Sequence, residues 1–204
     1  MKLDHFKAIA VVAASLAAGC AGTPADSPGS RVSAQGASAS SSRPVPLKNG
    51  DFAAEPVPGR DCPPSWGCAA HVNPRAFSFE LASDSRSRGR YLRVTRVQNE
   101  PWALVSQWLP ATAMVGARVR FSVSVQGEAL EGRAGPLIVL QGTAGRELDH
   151  RKVLVARSPG WQRVAVEIDV LPGTEAVGFG LTIEGGGSAG FDDIEAILLP
   201  RGGS

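Results

Sequence analysis

The stretch "ARVRFSVSVQGE" at residues 117–128 alternates strictly. Val119, Phe121, Val123 and Val125 fall on one side, and Arg118, Arg120, Ser122, Ser124 and Gln126 on the other. A period of two is that of a strand with one face buried and one in water. "WQRVAVEIDVLPG" at residues 161–173 repeats the pattern, with Val164, Val166, Ile168 and Val170 set against Arg163, Glu167 and Asp169, and it stops at Pro-Gly. Further runs are "FSFEL" (77–81), "RYLRVTRV" (90–97), "WALVSQWLP" (102–110), "PLIVLQG" (136–142), "HRKVLVA" (150–156), "AVGFGLTIE" (176–184) and "FDDIEAILL" (191–199). Some nine strands with turn signals between them, and no sustained helical period, predict one all-β domain over residues 46–200: an antiparallel β-sandwich in which each sheet buries one face.

The first 45 residues do not share this pattern. "MKLDHFKAIAVVAASLAAGC" has two lysines, then an apolar run over residues 8–18, then Cys20 directly after Ala-Ala-Gly. The run is too short to span a bilayer and fits the core of a secretory signal over residues 1–19. The cysteine that follows resembles a bacterial lipobox, which implies cleavage before Cys20 and its acylation. Buried acyl chains contribute roughly 0.8 kcal/mol per CH2, so the implied anchor is lipid and not a transmembrane helix. Ala21, where an aspartate is absent, points by the same resemblance to the outer membrane of the bacterial cell envelope. Residues 20–45 are dominated by Ala, Ser, Gly and Pro, and they offer too little apolar surface to offset the entropy of ordering. They predict a flexible linker, and residues 201–204 a short tail.

Export decides how the cysteines are read. Three cysteines less a lipidated one leave Cys62 and Cys68 in "CPPSWGC", and an exported pair meets an oxidising compartment, so a disulfide is expected. A zinc site needs about four ligands, and His71 is the one nearby nitrogen candidate. The closed loop holds Trp66, either as an exposed platform or as a lid over the end of the core.

The net charge of +2 is accompanied by no basic tract, which argues against nucleic acid as a partner. The lone "RSRGR" at residues 86–90 is expected as a solvated turn. "GGSAG" at residues 186–190 matches G-x-S-x-G, but Ser188 lies between two strands and both His71 and His150 precede it, so no nucleophile elbow is expected. Glu147, Asp149 and Glu167 single out no carboxylate pair for glycoside hydrolysis. The chain is therefore expected not to be an enzyme.

"LKNGDF" (47–52), "GRYLRVT" (89–95), "SQWLP" (106–110), "ARVRFSVSVQGE", "GWQRVAVEIDVLPG" (160–173) and "GFDDIEAILL" (190–199) stand in an order that resembles carbohydrate-binding modules of the cellulase-associated family 4/9 type. The resemblance implies a galactose-binding-like jelly roll. It also implies a structural calcium held by Asp51, Asp192 and Asp193, although Ala53 stands where that motif carries a glutamate. Finally, it implies a groove on a polar sheet face for a polysaccharide or other glycan, which needs aromatic surface for pyranose rings and planar polar groups for hydroxyls. The groove candidates are Trp66, Trp102, Arg118, Arg120, Gln126, Gln141 and His150. Trp102 and Trp108 share the parity of Leu104, the core side unless a bulge turns either outward, and Trp161 is expected as a plug at the sandwich edge. The alternative use of the same domain is structural, in contact with another envelope protein through an exposed apolar patch.

Overall fold

A computed structural model describes residues 42–59, 61–83, 89–127 and 129–199. The signal, Cys20, nearly all of the linker, most of the arginine-rich turn and the tail lie outside the described residues. Eleven strands are present among those described: β1 (Arg43–Pro44), β2 (Gly67–Ala70), β3 (Phe77–Ser83), β4 (Arg90–Arg96), β5 (Trp102–Pro110), β6 (Arg118–Gly127), β7 (Arg133–Gln141), β8 (Glu147–Lys152), β9 (Ser158–Asp169), β10 (Ala176–Glu184) and β11 (Ser188–Leu199). They form two antiparallel sheets. One has the order β3-β4-β11-β6-β9 with β1 also on β11, and the other the order β2-β5-β10-β7-β8. This is a jelly-roll sandwich.

The alternating runs do what their period dictates. Val119, Phe121, Val123 and Val125 on β6 are fully buried, and Val164, Val166 and Ile168 on β9 face the same core. From the second sheet, Val177, Phe179, Leu181 and Ile183 on β10 meet them, with the Phe121 and Phe179 rings packed edge to face at 5.4 Å. Truncating either phenylalanine to alanine costs about 3–5 kcal/mol on general grounds.

Three departures from the expected strands have local causes. β1 pairs Arg43 with Leu198 and Pro44 with Ile197, so the sheet begins ahead of residue 46. β2 has small residues and no alternation, and it is seen only in its pairing with β5. The strand expected over residues 150–156 runs instead over Glu147–Lys152, with a single bridge from Val155 to Ala134. There the backbone of Val153 passes so close to Gly135 that a Cβ at that glycine would lie 2.0 Å from the Val153 carbonyl oxygen.

Cys62 and Cys68 form a disulfide. The loop they close is bound to the "LKNGDF" segment: the Trp66 Nε1 donates to the Asn49 carbonyl at 3.1 Å, and the Asn49 Nδ2 donates to the Pro64 carbonyl at 2.9 Å. Trp66 is 6% exposed and packs at 5.8 Å on Phe52, which is fully buried. Of the two expected roles for Trp66, the structure selects the lid; the exposed platform is corrected, because the indole closes the end of the core. In "NGD", Gly50 meets the β11 bulge, where a Cβ would stand 2.9 Å from the Ile194 carbonyl oxygen.

Closing a loop this short stabilises by about 2 kcal/mol in the chain-entropy model. The double variant Cys62→Ser/Cys68→Ser is expected to lose about that much in urea unfolding and to keep its all-β circular dichroism. An unchanged midpoint would mean that Trp66 and Asn49 alone hold the loop.

Candidate functional site

The outward face of the five-stranded sheet is built around an absence of side chains. On β10 the outward positions are Gly178, Gly180, Thr182 and Glu184, while the inward ones are large and apolar. Gly178 pairs with Trp108 on β5 and Val139 on β7, and Gly180 with Ser106 and Leu137. The central strand is thus a trough between walls from its two neighbours.

Trp108 lies down in that trough. A Cβ on Gly178 would stand 2.7, 2.8 and 2.9 Å from three consecutive atoms of its benzo ring, a near-equality that places a ring face, not an edge, over the glycine. The indole is 42% exposed. One face rests on the sheet and the other is open to solvent. Leu104 does the same over Gly180, at 2.6 Å from the position of its missing Cβ.

Trp102, Leu104, Trp108, Leu137 and Val139 make the apolar part of a groove of about 510 Å3, with Gln141, Glu147, His150, Lys152, Thr182 and Glu184 as its polar part. Trp102 and Trp108 are six strand residues apart, about 20 Å at about 3.4 Å each. At the Trp102 end the His71 ring stands edge-on to the indole at 5.9 Å, and His71 Nδ1 lies 3.5 Å from Glu100 Oε2. Along the β8 wall, His150 Nδ1 is 2.8 Å from Glu147 Oε1, and Lys152 is paired with Glu184. The arrangement offers a flat apolar floor bordered by hydrogen-bonding groups whose charges are mutually satisfied.

Of the sequence candidates, Trp102, Gln141 and His150 converge here. Parity puts Trp102 and Trp108 on the core side, and the structure corrects both: with no bulge in the β5–β10 pairing, Ala103, Val105 and Gln107 point inward and Trp102, Leu104 and Trp108 outward. Gln107 is tolerated inside because its amide pairs with both backbone groups of Lys48. Arg118, Arg120 and Gln126 are not brought to this groove; they stand on β6 in the other sheet. Arg118 forms two hydrogen bonds to Asp169, at 2.8 and 2.7 Å, and Arg120 donates to Glu167 at 2.7 Å. The Arg118 hydrogen bond holds the Asp169 carboxyl below its ordinary range. Trp161 is half-buried on that same outer face, packed edge to face on Tyr91 at 5.3 Å over Gly190.

The calcium implied by resemblance finds no assembled site. Asp51 Oδ1 accepts from the Ala53 amide at 3.2 Å, Asp192 Oδ1 from the Asp193 amide at 2.8 Å, and Asp193 Oδ2 from Ser124 at 3.1 Å. Among the described residues, no three His, Cys, Asp or Glu side chains are grouped to hold a metal ion. Calcium takes six to eight oxygens, and these residues do not fit that requirement. Ser188 opens β11, with its hydroxyl 2.9 Å from that of Thr95.

No protein-family model matches the chain. No curated protein matches it either. Among solved structures, it is similar to the enzymatically active domain of tailspike protein 4 of bacteriophage CBA120, with a TM-score of 0.57 and 11% identity, over 75% of this chain and 21% of that one. A family 4 carbohydrate-binding module gives a TM-score of 0.51 and 15% identity, over 76% of this chain and 100% of the module. The jelly-roll fold is shared with that module. A third similar structure, the CBM22-1 and GH10 modules of a Clostridium thermocellum xylanase complexed with xylohexaose, gives 0.52 and 12%, over 69% of this chain and 27% of that one. The chain therefore spans about a fifth of the tailspike chain and about a quarter of the xylanase chain.

A Gly178→Ala variant tests the trough directly. The added methyl group has to lift the Trp108 ring, so fluorine NMR of fluorotryptophan-labelled protein is expected to show the Trp108 resonance shifted and the Trp66 resonance unmoved. An unmoved Trp108 resonance would mean that the ring does not rest on the strand.

Proposed function

We propose that this protein is a non-catalytic, lipid-anchored glycan-binding protein of the bacterial cell envelope, whose β-sandwich holds a polysaccharide chain in the groove over β10. The observation that carries the reading is Trp108, an indole laid flat on a glycine with its second face in water. A pyranose ring has one or two apolar C–H faces and a rim of hydroxyls. An exposed ring face covers the first, and planar or charged side chains bind the second.

Gln141, Glu147 and His150 border the Trp108 end of the groove, and Glu184, paired in register with Trp102, borders the other end with its partner Lys152. Trp102 supplies a second aromatic surface toward the other end, so the groove suits a chain of several sugars and not a single monosaccharide. The pairing of His150 with Glu147 and of Lys152 with Glu184 fixes these side chains before a ligand arrives, which reduces the ordering cost of binding. The fold shared with a family 4 module and with a xylanase's CBM22 module supports the same reading.

The anchor rests on the lipobox-like "AAGC" ending at Cys20, and the Ala21 that follows favours the outer membrane. The linker expected over residues 20–45 would keep the groove near the membrane surface.

The glycan reading predicts that Trp108→Ala weakens retention in polysaccharide affinity gels by about tenfold or more, a loss of about 1.4 kcal/mol. The Arg118→Ala variant, on the other sheet, is expected to migrate as the unsubstituted protein does. Equal loss in both variants, or in neither, would count against the groove.

The anchor reading predicts that labelled palmitate enters the full-length chain in a bacterial host and that Cys20→Ser abolishes the label and frees the protein from the membrane fraction. A membrane-bound, unlabelled Cys20→Ser protein would show that something else holds it there.

A further inference from the structure

Trp108 is a divider as well as a floor. On its far side a second depression of about 550 Å3 is lined by Lys48, Ser65, Gly67, Ala69 and Ser106. Gly67 pairs with Ser106 and Ala69 with Leu104, so β2 extends the outward face with residues that have little or no side chain. A chain lying across Trp108 enters this second depression.

Its walls are held in place. Ser65 has a φ of 71°, a left-handed backbone that a serine rarely adopts, inside the loop closed by the Cys62–Cys68 disulfide. The buried Gln107 amide clasps both backbone groups of Lys48. The Lys48 side chain is exposed, and among the described residues no carboxylate lies within ion-pair distance of its ammonium. This contrasts with the first groove, where Lys152 and His150 each have a carboxylate partner.

Building on the glycan reading, we propose that the second depression is a subsite for an anionic sugar, in which the Lys48 ammonium receives the carboxylate of a uronic acid beside the neutral sugar stacked on Trp108. Among the described residues that line the depression, Lys48 is the one that carries a charge. Ser65 and Ser106 add hydroxyls for the remaining oxygens. A charge-assisted hydrogen bond from an ammonium to a carboxylate is about twice as strong as a neutral one, and it fades as salt screens it. The protein's ligand class is then an acidic polysaccharide.

The test compares native polymers with the same polymers after their uronic carboxyl groups have been reduced to alcohols. Glucuronoxylan, polygalacturonate and alginate, each in both forms, are cast in affinity gels at low and high salt. The full chain is run beside Lys48→Met and Trp108→Ala. The expected result is that at least one native polymer retains the protein about tenfold more strongly than its reduced form, and that salt erases this preference. Lys48→Met should lose the preference yet match the unsubstituted protein on the reduced polymer. Trp108→Ala should lose retention by both forms.

Equal retention of native and reduced polymers, or a preference that survives Lys48→Met, overturns the subsite. If neutral polysaccharides are retained through Trp108 while none of the acidic ones is preferred, the subsite fails and the groove stands. Loss of all retention, neutral and acidic, removes both.

Discussion

Everything on the outward face of the five-stranded sheet depends on two missing Cβ atoms. A strand in the middle of a sheet ordinarily raises a row of side chains on each face, and an indole at the neighbouring position then has to stand upright among them. At Gly178 and Gly180 that row is absent, and Trp108 and Leu104 fold down onto bare backbone. Glycine inside a strand costs stability, through entropy and lost packing. Here the cost falls on β10, whose inward face carries Val177, Phe179, Leu181 and Ile183 into the core and offsets it. One strand therefore anchors the sandwich with one face and hollows it with the other.

The two sheets divide the polar chemistry between them. On the six-stranded sheet, arginines and carboxylates form cross-strand pairs such as Arg118 with Asp169, Arg120 with Glu167 and Arg163 with Glu195, leaving few unsatisfied charges for a ligand. Such exposed pairs contribute little to stability individually, but they keep a wide sheet face hydrated and discourage association. On the five-stranded sheet, apolar surface is left uncovered, bordered by paired charges on one side and by the unpaired Lys48 on the other. A large apolar surface that the core does not need, rimmed by polar groups, is what a binding face requires.

The fold was legible because period-two alternation on β6 and β9 admits one geometry, and Phe121 and Val164 had to share an interior. The groove was only half legible, and β5 shows why. In "WALVSQWLP" the larger apolar residues look like the core set, and Ala103, Val105 and Gln107 look like the solvent set. The structure reverses them, because Gly178 and Gly180 on the neighbouring strand leave room for large apolar groups on the outward face, and a glutamine can face inward when a backbone segment satisfies its amide. The informative signal lay on a different strand. "VGFGLTIE" alternates glycine with large apolar residues, and strand glycines spaced by two, next to a tryptophan-bearing strand, mark a face that something flat will occupy. Arg118, Arg120 and Gln126 lie apart from the groove for a related reason: outward parity identifies a solvent face without saying which of two sheets bears it.

The motif "CPPSWGC" illustrates how a structural device and an outward surface come to share residues. Trp66 is spent on the core, where it caps Phe52 and ties the loop to Asn49. Because its indole points inward, the backbone on either side of it points outward, and Ser65 and Gly67 become the wall and floor of the depression beyond Trp108. The disulfide then acts on the surface indirectly. It closes the loop that carries Ser65, one of the residues lining the depression with Trp108 and Lys48. A loop without that closure would have to be ordered by the ligand, at a cost in affinity for each side chain immobilised. The hydrophobic anchoring of one tryptophan and the exposure of another are thus two halves of a single arrangement, in which the buried ring sets the frame and the exposed ring is the surface within it.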